Sequence, residues 1–301
     1  DVYKRQNLHL PNFLKGGLYQ GAGKNVCVPG LNCYSCPAAS GACPIGAFQA
    51  VVGSSKFSFS YYITGFLILL GVLLGRFICG FLCPFGWFQE LLHKIPTKKL
   101  STKRLKPLTY LKYAVLLVMV FLLPAFLVND VGMGDPFFCK YLCPQGVLEG
   151  AIPLSLANSG IRAALGSLFT WKFCILLAVI VLSVVFYRPF CKWLCPLGAF
   201  YALFNRVSLF QMKVDRNKCV SCGKCAKACK MDVDVTKTPN HAECIRCGMC
   251  VRACPTSAVS FRYGFGDGKD KTKAAAMPQK NRTERAANRR MPRKRLPCTT
   301  I

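Results

Sequence analysis

Histidine is nearly missing from this chain, at three residues, and acidic side chains are scarce, at 12 against 40 lysines and arginines. His9, His93 and His241, with no C-x2-C-H sequence beside them, cannot supply axial pairs for several haems, which excludes a multihaem cytochrome. No G-x-G-x-x-G and no Walker sequence is present, so bound NAD or nucleotide has no support. The net charge of +28 is not a nucleic-acid signature either. Its basic C-terminal stretch has no aromatic residues interleaved for stacking on bases.

What the chain does have is apolar runs and cysteine. Apolar residues make up 52% of it, and they are bunched. Segments 57–78, 108–128 and 169–187 each approach the roughly 20 residues that cross the hydrocarbon of a bilayer, which predicts three spans. The loop "HKIPTKKLSTKRLKP" after the first span is dense in Lys and Arg, whereas residues 129–168 carry only Lys140 and Arg162 against Asp130, Asp135 and Glu149. Basic loops favour the cytoplasm. The first loop and everything after residue 188 are therefore placed inside, the second loop and residues 1–56 outside. That topology needs an external start or an earlier span, and the opening "DVYKRQ", without methionine, reads as part of a longer chain that yields no targeting signal. The tail 264–301 lacks apolar periodicity and is expected to be disordered, its charge suited to anionic lipid.

Twenty cysteines are the central fact, and most fall in spaced groups. "CVSCGKCAKACK" at 219–230 and "CIRCGMCVRACP" at 244–255 each read C-x2-C-x2-C-x3-C, the two-cluster ferredoxin spacing. Three cysteines in a short turn wrap three corners of a cube, and the fourth leaves on a helix toward the other cube. Cys219, Cys222, Cys225 and Cys254 are predicted to hold one [4Fe-4S] cluster, and Cys244, Cys247, Cys250 and Cys229 the second. A zinc site would use about four ligands at looser spacing. Gly223 and Gly248 are expected to let the backbone pass close to the sulfides, and Lys230, standing where the second copy has Pro255, is expected to loosen the first turn. Apolar alternation over 211–215 and 258–263 predicts two strands around these motifs.

A second pattern occurs three times, as Cys, any residue, aromatic, Leu, Cys, Pro, any residue, Gly: "CGFLCPFG" from Cys79, "CKYLCPQG" from Cys139 and "CKWLCPLG" from Cys191. "ACPIGAF" at 42–48 is a partial copy. Proline suits the first position of a helix, whose N–H groups then point back at the cysteine sulfurs and favour an anionic cluster there. Each copy is a two-ligand half-site that needs a partner. The predicted topology joins Cys79 and Cys83 with Cys191 and Cys195 at the cytoplasmic surface. It joins Cys139 and Cys143 with two of Cys33, Cys36 and Cys43 outside, with Cys27 a further candidate, giving one cluster per face. Disulfides are the alternative for the external cysteines. Arg76 and Arg188, three residues before their motifs, either raise the inner cluster's potential or anchor the span ends. Amphipathic helices are expected after each CP-x-G. Cys174 reads as a small packing residue, and Cys298 has no partner group.

The eight-cysteine segment resembles bacterial-type ferredoxins. Combined with C-x3-C-P motifs at span ends, it resembles the membrane-bound polyferredoxins of the NapH and NosR type, over about residues 27 to 263. The expected fold is an α-helical integral membrane protein with a C-terminal α+β two-[4Fe-4S] ferredoxin-like domain. Its parts are an extracytoplasmic segment 1–56, a transmembrane region 57–210, a cytoplasmic ferredoxin domain 211–263 and the tail. The resemblance implies electron relay between a cytoplasmic low-potential carrier and a quinone-level or extracytoplasmic partner, such as a flavoprotein or reductase. Two [4Fe-4S] clusters are expected in the ferredoxin domain and one or two more at the C-x3-C-P motifs. A redox-sensing regulatory or assembly protein, and a subunit of a quinol dehydrogenase or metal reductase, are the competing functions.

Overall fold

The computed structural model describes residues 7, 11–12, 17–54, 61–129 and 133–264. The basic tail with Cys298, residues 57–60 of the first expected span, and His9 and Asp130 lie outside them. Three helices begin at the proline of a CP pair: α1 (Pro44–Gly53), α3 (Pro84–His93) and α7 (Pro196–Phe204). In each the cysteine is the N-cap in extended backbone, φ −68° at Cys43, −90° at Cys83 and −70° at Cys195. A proline at the first helical position sacrifices no hydrogen bond. Helices α1 and α7 are deeply packed rather than amphipathic at a surface, with seven of ten residues of α1 buried, whereas α3 buries four of its ten residues and exposes Trp87 and Leu91. Short turns, Phe77–Phe81, Phe138–Leu142 and Pro189–Trp193, carry Cys79, Cys139 and Cys191.

Of the three expected spans, α4 (Leu105–Phe126) and α6 (Ser167–Val185) are long and apolar enough to cross a membrane, with mean hydropathies of 1.9 and 2.5. α4 opens into π-type turns over Leu116–Leu122 just before Pro124, because proline cannot donate the regular backbone bond. The described part of the first span, α2 (Tyr61–Leu74), has 14 residues, about 21 Å of helix. It stops at Gly75, where φ is +54° and an added Cβ would meet Arg246 Nη1 at 2.7 Å. Only glycine adopts that turn without strain. The turn brings Arg76 inward.

Helix α3 lies along α6, and α1 and α7 pack on α4. One hydrophobic core results, running from Leu31 through Phe85, Val120, Tyr201 and Ile245. Helix α5 (Gly146–Ala157) follows the third CP-x-G.

The C-terminal part is a two-stranded antiparallel sheet, β1 (Phe210–Val214) with β2 (Val259–Tyr263), in register Phe210 to Tyr263 and Val214 to Val259. Between the strands lie α8 (Lys224–Ala228) and α9 (Met249–Arg252). This unit is pinned to the helices by buried polar contacts. Glu243 accepts from Arg76 at 2.8 Å and also pairs with Lys112. Burial alone would raise the Glu243 carboxyl, yet the two cations hold it down to about 2. Arg246 donates to Leu74 O at 2.8 Å and Asn205 O at 2.7 Å, and Asn205 donates to His241 O and Cys244 O.

Candidate iron-sulfur centres

The C-x2-C loops fold as two copies of one backbone. Ser221 and Gly223 have φ of 52° and 71°, and their counterparts Arg246 and Gly248 have 54° and 76°. The glycines serve this left-handed curl. No protein atom lies within 4 Å of a Cβ at Gly223. The Lys230 departure does not loosen the first turn: Asp232 and Ser257, each three residues past the fourth cysteine, share φ of 58° and 50°. Lys230 instead lies over the Tyr187 ring.

One small cavity is lined by Cys219, Cys222, Cys225 and Cys254, another by Cys229, Cys244, Cys247 and Cys250. Each is the quartet expected from the spacing. Burial pushes the Cys250 thiol up to about 12, so ligation there as thiolate displaces a proton. Among the described residues no group of three or more His, Cys, Asp or Glu closes round a single ion. Four thiols round a cavity rather than a point suit a cube better than zinc.

The CP-x-G repeat does the same thing in all four copies. The amide of its glycine (Gly46, Gly86, Gly146 or Gly198) is directed at the sulfur of its own cysteine, at 3.4 Å for Gly198 to Cys195 Sγ. At Cys195 this makes the repeat a helix N-cap with sulfur as the acceptor. The glycine also leaves space for the opposite motif. A Cβ at Gly46 would stand 3.8 Å from Cys139 Sγ, one at Gly146 3.8 Å from Cys33 Sγ, and one at Gly86 3.0 Å from Arg188 Nη1.

Cys79, Cys83, Cys191 and Cys195 are all buried and lie within electrostatic reach of one another. Two guanidiniums cross between the motifs: Arg76 donates to Cys191 O at 3.3 Å, and Arg188 to Cys79 O at 2.6 Å and Gly80 O at 3.2 Å. Arg76 is 0% and Arg188 2% exposed, so these are internal cations and not anchors at a lipid surface.

The second set is Cys33, Cys43, Cys139 and Cys143, which line one cavity of about 560 Å³ together with Cys27, Lys24 and Lys172. Cys36 is turned away, packed on Ala38 and Ala39 with its sulfur toward Asn7 Oδ1 at 3.6 Å. All described cysteines are free thiols. Glu149 accepts from the Cys33 amide at 3.1 Å, and burial pushes its carboxyl up to about 7. Cys174 faces outward instead of packing in the core, apart from every set.

The expectation of one set per membrane face does not fit this arrangement. Cys43, Cys79, Cys83, Cys143 and Cys195 belong to one core. The amide of Leu31 is directed at the Cys83 sulfur and that of Asn32, the next residue, at the Cys43 sulfur. Two successive peptides place those sulfurs on the order of 10 Å apart, against roughly 30 Å of hydrocarbon. The reason is helix length and direction. α1 starts at interior Cys43 and ends with Gly53 O accepting from Gly134 N, past the end of α4. α3 starts at interior Cys83 and ends with His93 beside Ser183 O, at the end of α6.

Two glutamines escaped the sequence reading. Gln89 donates to Cys191 Sγ at 3.1 Å and accepts from Phe190 N at 3.1 Å. Gln49 donates to Cys139 Sγ at 3.2 Å and accepts from Phe138 N at 3.0 Å. Both are 0% exposed. The signal was present in "CPIGAFQ" and "CPFGWFQ", which agree at the sixth residue past the cysteine.

Comparison with known proteins finds iron-sulfur families. Residues 41–61, 58–103, 112–152 and 168–217, about half the chain, match a family described as 4Fe-4S binding domain, and 212–233 and 238–260 match a second family of the same description. An uncharacterized protein of Methanocaldococcus jannaschii is 32% identical over 66% of this chain and 77% of its own length. The regulatory protein NosR of Stutzerimonas stutzeri is 28% identical over 53% of this chain and 21% of its own. The ferredoxin-type protein NapH of Haemophilus influenzae is 26% identical over 37% and 53%. No solved structure matches the chain. By the extent of these matches the chain belongs to the 4Fe-4S binding domain family, as an iron-sulfur electron-transfer protein of ferredoxin type.

Proposed function

We propose that the chain is a membrane-embedded electron conduit with four [4Fe-4S] sites in series. They are Cys33, Cys43, Cys139 and Cys143, then Cys79, Cys83, Cys191 and Cys195, then Cys229, Cys244, Cys247 and Cys250, then Cys219, Cys222, Cys225 and Cys254. Such clusters take up and release single electrons. The chain's own part is to space the thiolates, keep water from them and aim N–H groups at their sulfurs.

The observation that carries this reading is the unbroken succession of contacts between the sets. Gly30 lies on Cys83, with an added Cβ 2.8 Å from Cys83 Cα, beside the shared Leu31 and Asn32 amides. Gly80, next to Cys79, lies on Ile245, next to Cys244, with an added Cβ 2.7 Å from Ile245 O. A sensor needs one responsive cluster. A succession suits passage.

The long apolar helices α4 and α6 support placement in a lipid bilayer. Ser101 and Thr102 of the basic loop bond to Asp232, so that loop and the domain 211–263 share a side, cytoplasmic by the charge tendency. The conduit then links a cytoplasmic low-potential carrier to a quinone-level or extracytoplasmic partner. Iron and acid-labile sulfide on anaerobically purified chain test it. About 16 irons per chain are expected, and about 8 would confine clusters to the ferredoxin domain and overturn the reading.

A further inference from the structure

Within residues 211–263 every exposed charged side chain is positive: Lys213, Arg216, Lys218, Lys224, Lys227, Lys230, Lys237 and Arg252. Of the acidic groups there, Glu243 is buried and the three aspartates are partly exposed, each tied up locally. Glu243 and Asp232 pair with cations of the helical part, Asp234 holds Thr236 and Asp215 holds the Asn217 amide. The quartet of Cys229, Cys244, Cys247 and Cys250 faces the core, where Cys229 and Cys247 pack. The other quartet faces out. Cys222 is exposed, and Val220, between Cys219 and Cys222, is 65% exposed.

An exposed apolar tip and an outward cysteine thus lie in a stretch of chain that also carries exposed Arg216, Lys218, Lys224 and Lys227. None of these four is in an ion pair among the described residues. An apolar centre with a charged rim is the anatomy of a transient protein interface, and cations of one sign steer an oppositely charged partner to it.

We propose that the face around Val220 and Cys222 is the docking port for a small soluble redox protein with an acidic surface. It is the ferredoxin-domain terminus of the conduit, and this inference rests on that reading. One electron crosses the port per encounter, and no bond forms or breaks.

The test uses the full cluster-loaded chain in detergent, oxidised and mixed in stopped flow with a small acidic [2Fe-2S] ferredoxin. The ferredoxin is first reduced with dithionite and then freed of excess reductant. The second-order rate of cluster bleaching is expected to fall about tenfold or more from low to high salt. Lys218→Glu with Lys224→Glu is expected to lower the low-salt rate by a similar factor, while Lys237→Glu, facing a different cavity, leaves it unchanged. Bleaching by dithionite alone stays unaltered in all variants. A rate indifferent to salt, or an equal loss in Lys237→Glu, overturns the port while leaving the conduit standing. Clusters that dithionite itself cannot reduce overturn the conduit, and the port with it.

Discussion

The two C-x3-C-P sites use the same parts in different electrical surroundings. Each has a CP-x-G cap, a glutamine crossing to the opposite cysteine and a cation on a cysteine carbonyl. At Cys79, Cys83, Cys191 and Cys195 the cations are two buried guanidiniums. At Cys33, Cys43, Cys139 and Cys143 the cation is Lys172, with Glu149 beside it and a cavity of about 560 Å³ open to the thiols. A repeated half-site therefore fixes ligation geometry, and the residues around it set the charge that an added electron meets.

The largest break in that comparison is removal of ligands. Cys83→Ser with Cys195→Ser should cost about four irons per chain, and so should Cys43→Ser with Cys143→Ser, each leaving the ferredoxin clusters in place; metal and sulfide analysis reads both. Next is the cation. Arg76→Met strips a buried partner from Glu243 and should cost about 3 kcal/mol, whereas Lys172→Met loses one hydrogen bond, about 1 kcal/mol. Thermal unfolding of the loaded proteins should rank them in that order.

Smaller effects sharpen the equivalence. Gln89→Leu and Gln49→Leu each delete an N–H donor that favours the reduced, more negative cluster. Each should lower one midpoint potential by on the order of 40 mV, read by EPR-monitored redox titration. Unequal shifts would show that the glutamines are not matched. Smallest is the glycine pair. Gly86→Ala must displace Cys79 O, 2.9 Å from its Cβ, and should lower the thermal midpoint. Gly46→Ala, with nothing nearer than 3.8 Å, should leave it unchanged.

Spacing made the ferredoxin quartets legible, because three ligands in a seven-residue turn leave the backbone little choice, and the paired strands follow from apolar alternation. The sulfur N-cap was legible from proline after cysteine. Depth was not. Hydropathy finds segments that cross completely, while α1 and α3 start at interior cysteines and are ten residues each, too short to register as spans. Charge bias then assigned their cysteines to opposite faces, although Leu31 and Asn32 join them. The glutamines were hidden because one polar residue in a helix reads as a solvent-facing position, and only the opposite motif gives it a partner.

The segment around Gly30 also constrains biogenesis. It sits against the Cys83 backbone, and residues Cys79, Cys83, Cys191 and Cys195 are between 4% and 7% exposed. An assembly scaffold delivering a preformed cluster could not reach them through the closed fold. Loading of this site is expected to precede docking of the segment around Gly30, which ties the order of maturation to the order in which the chain packs.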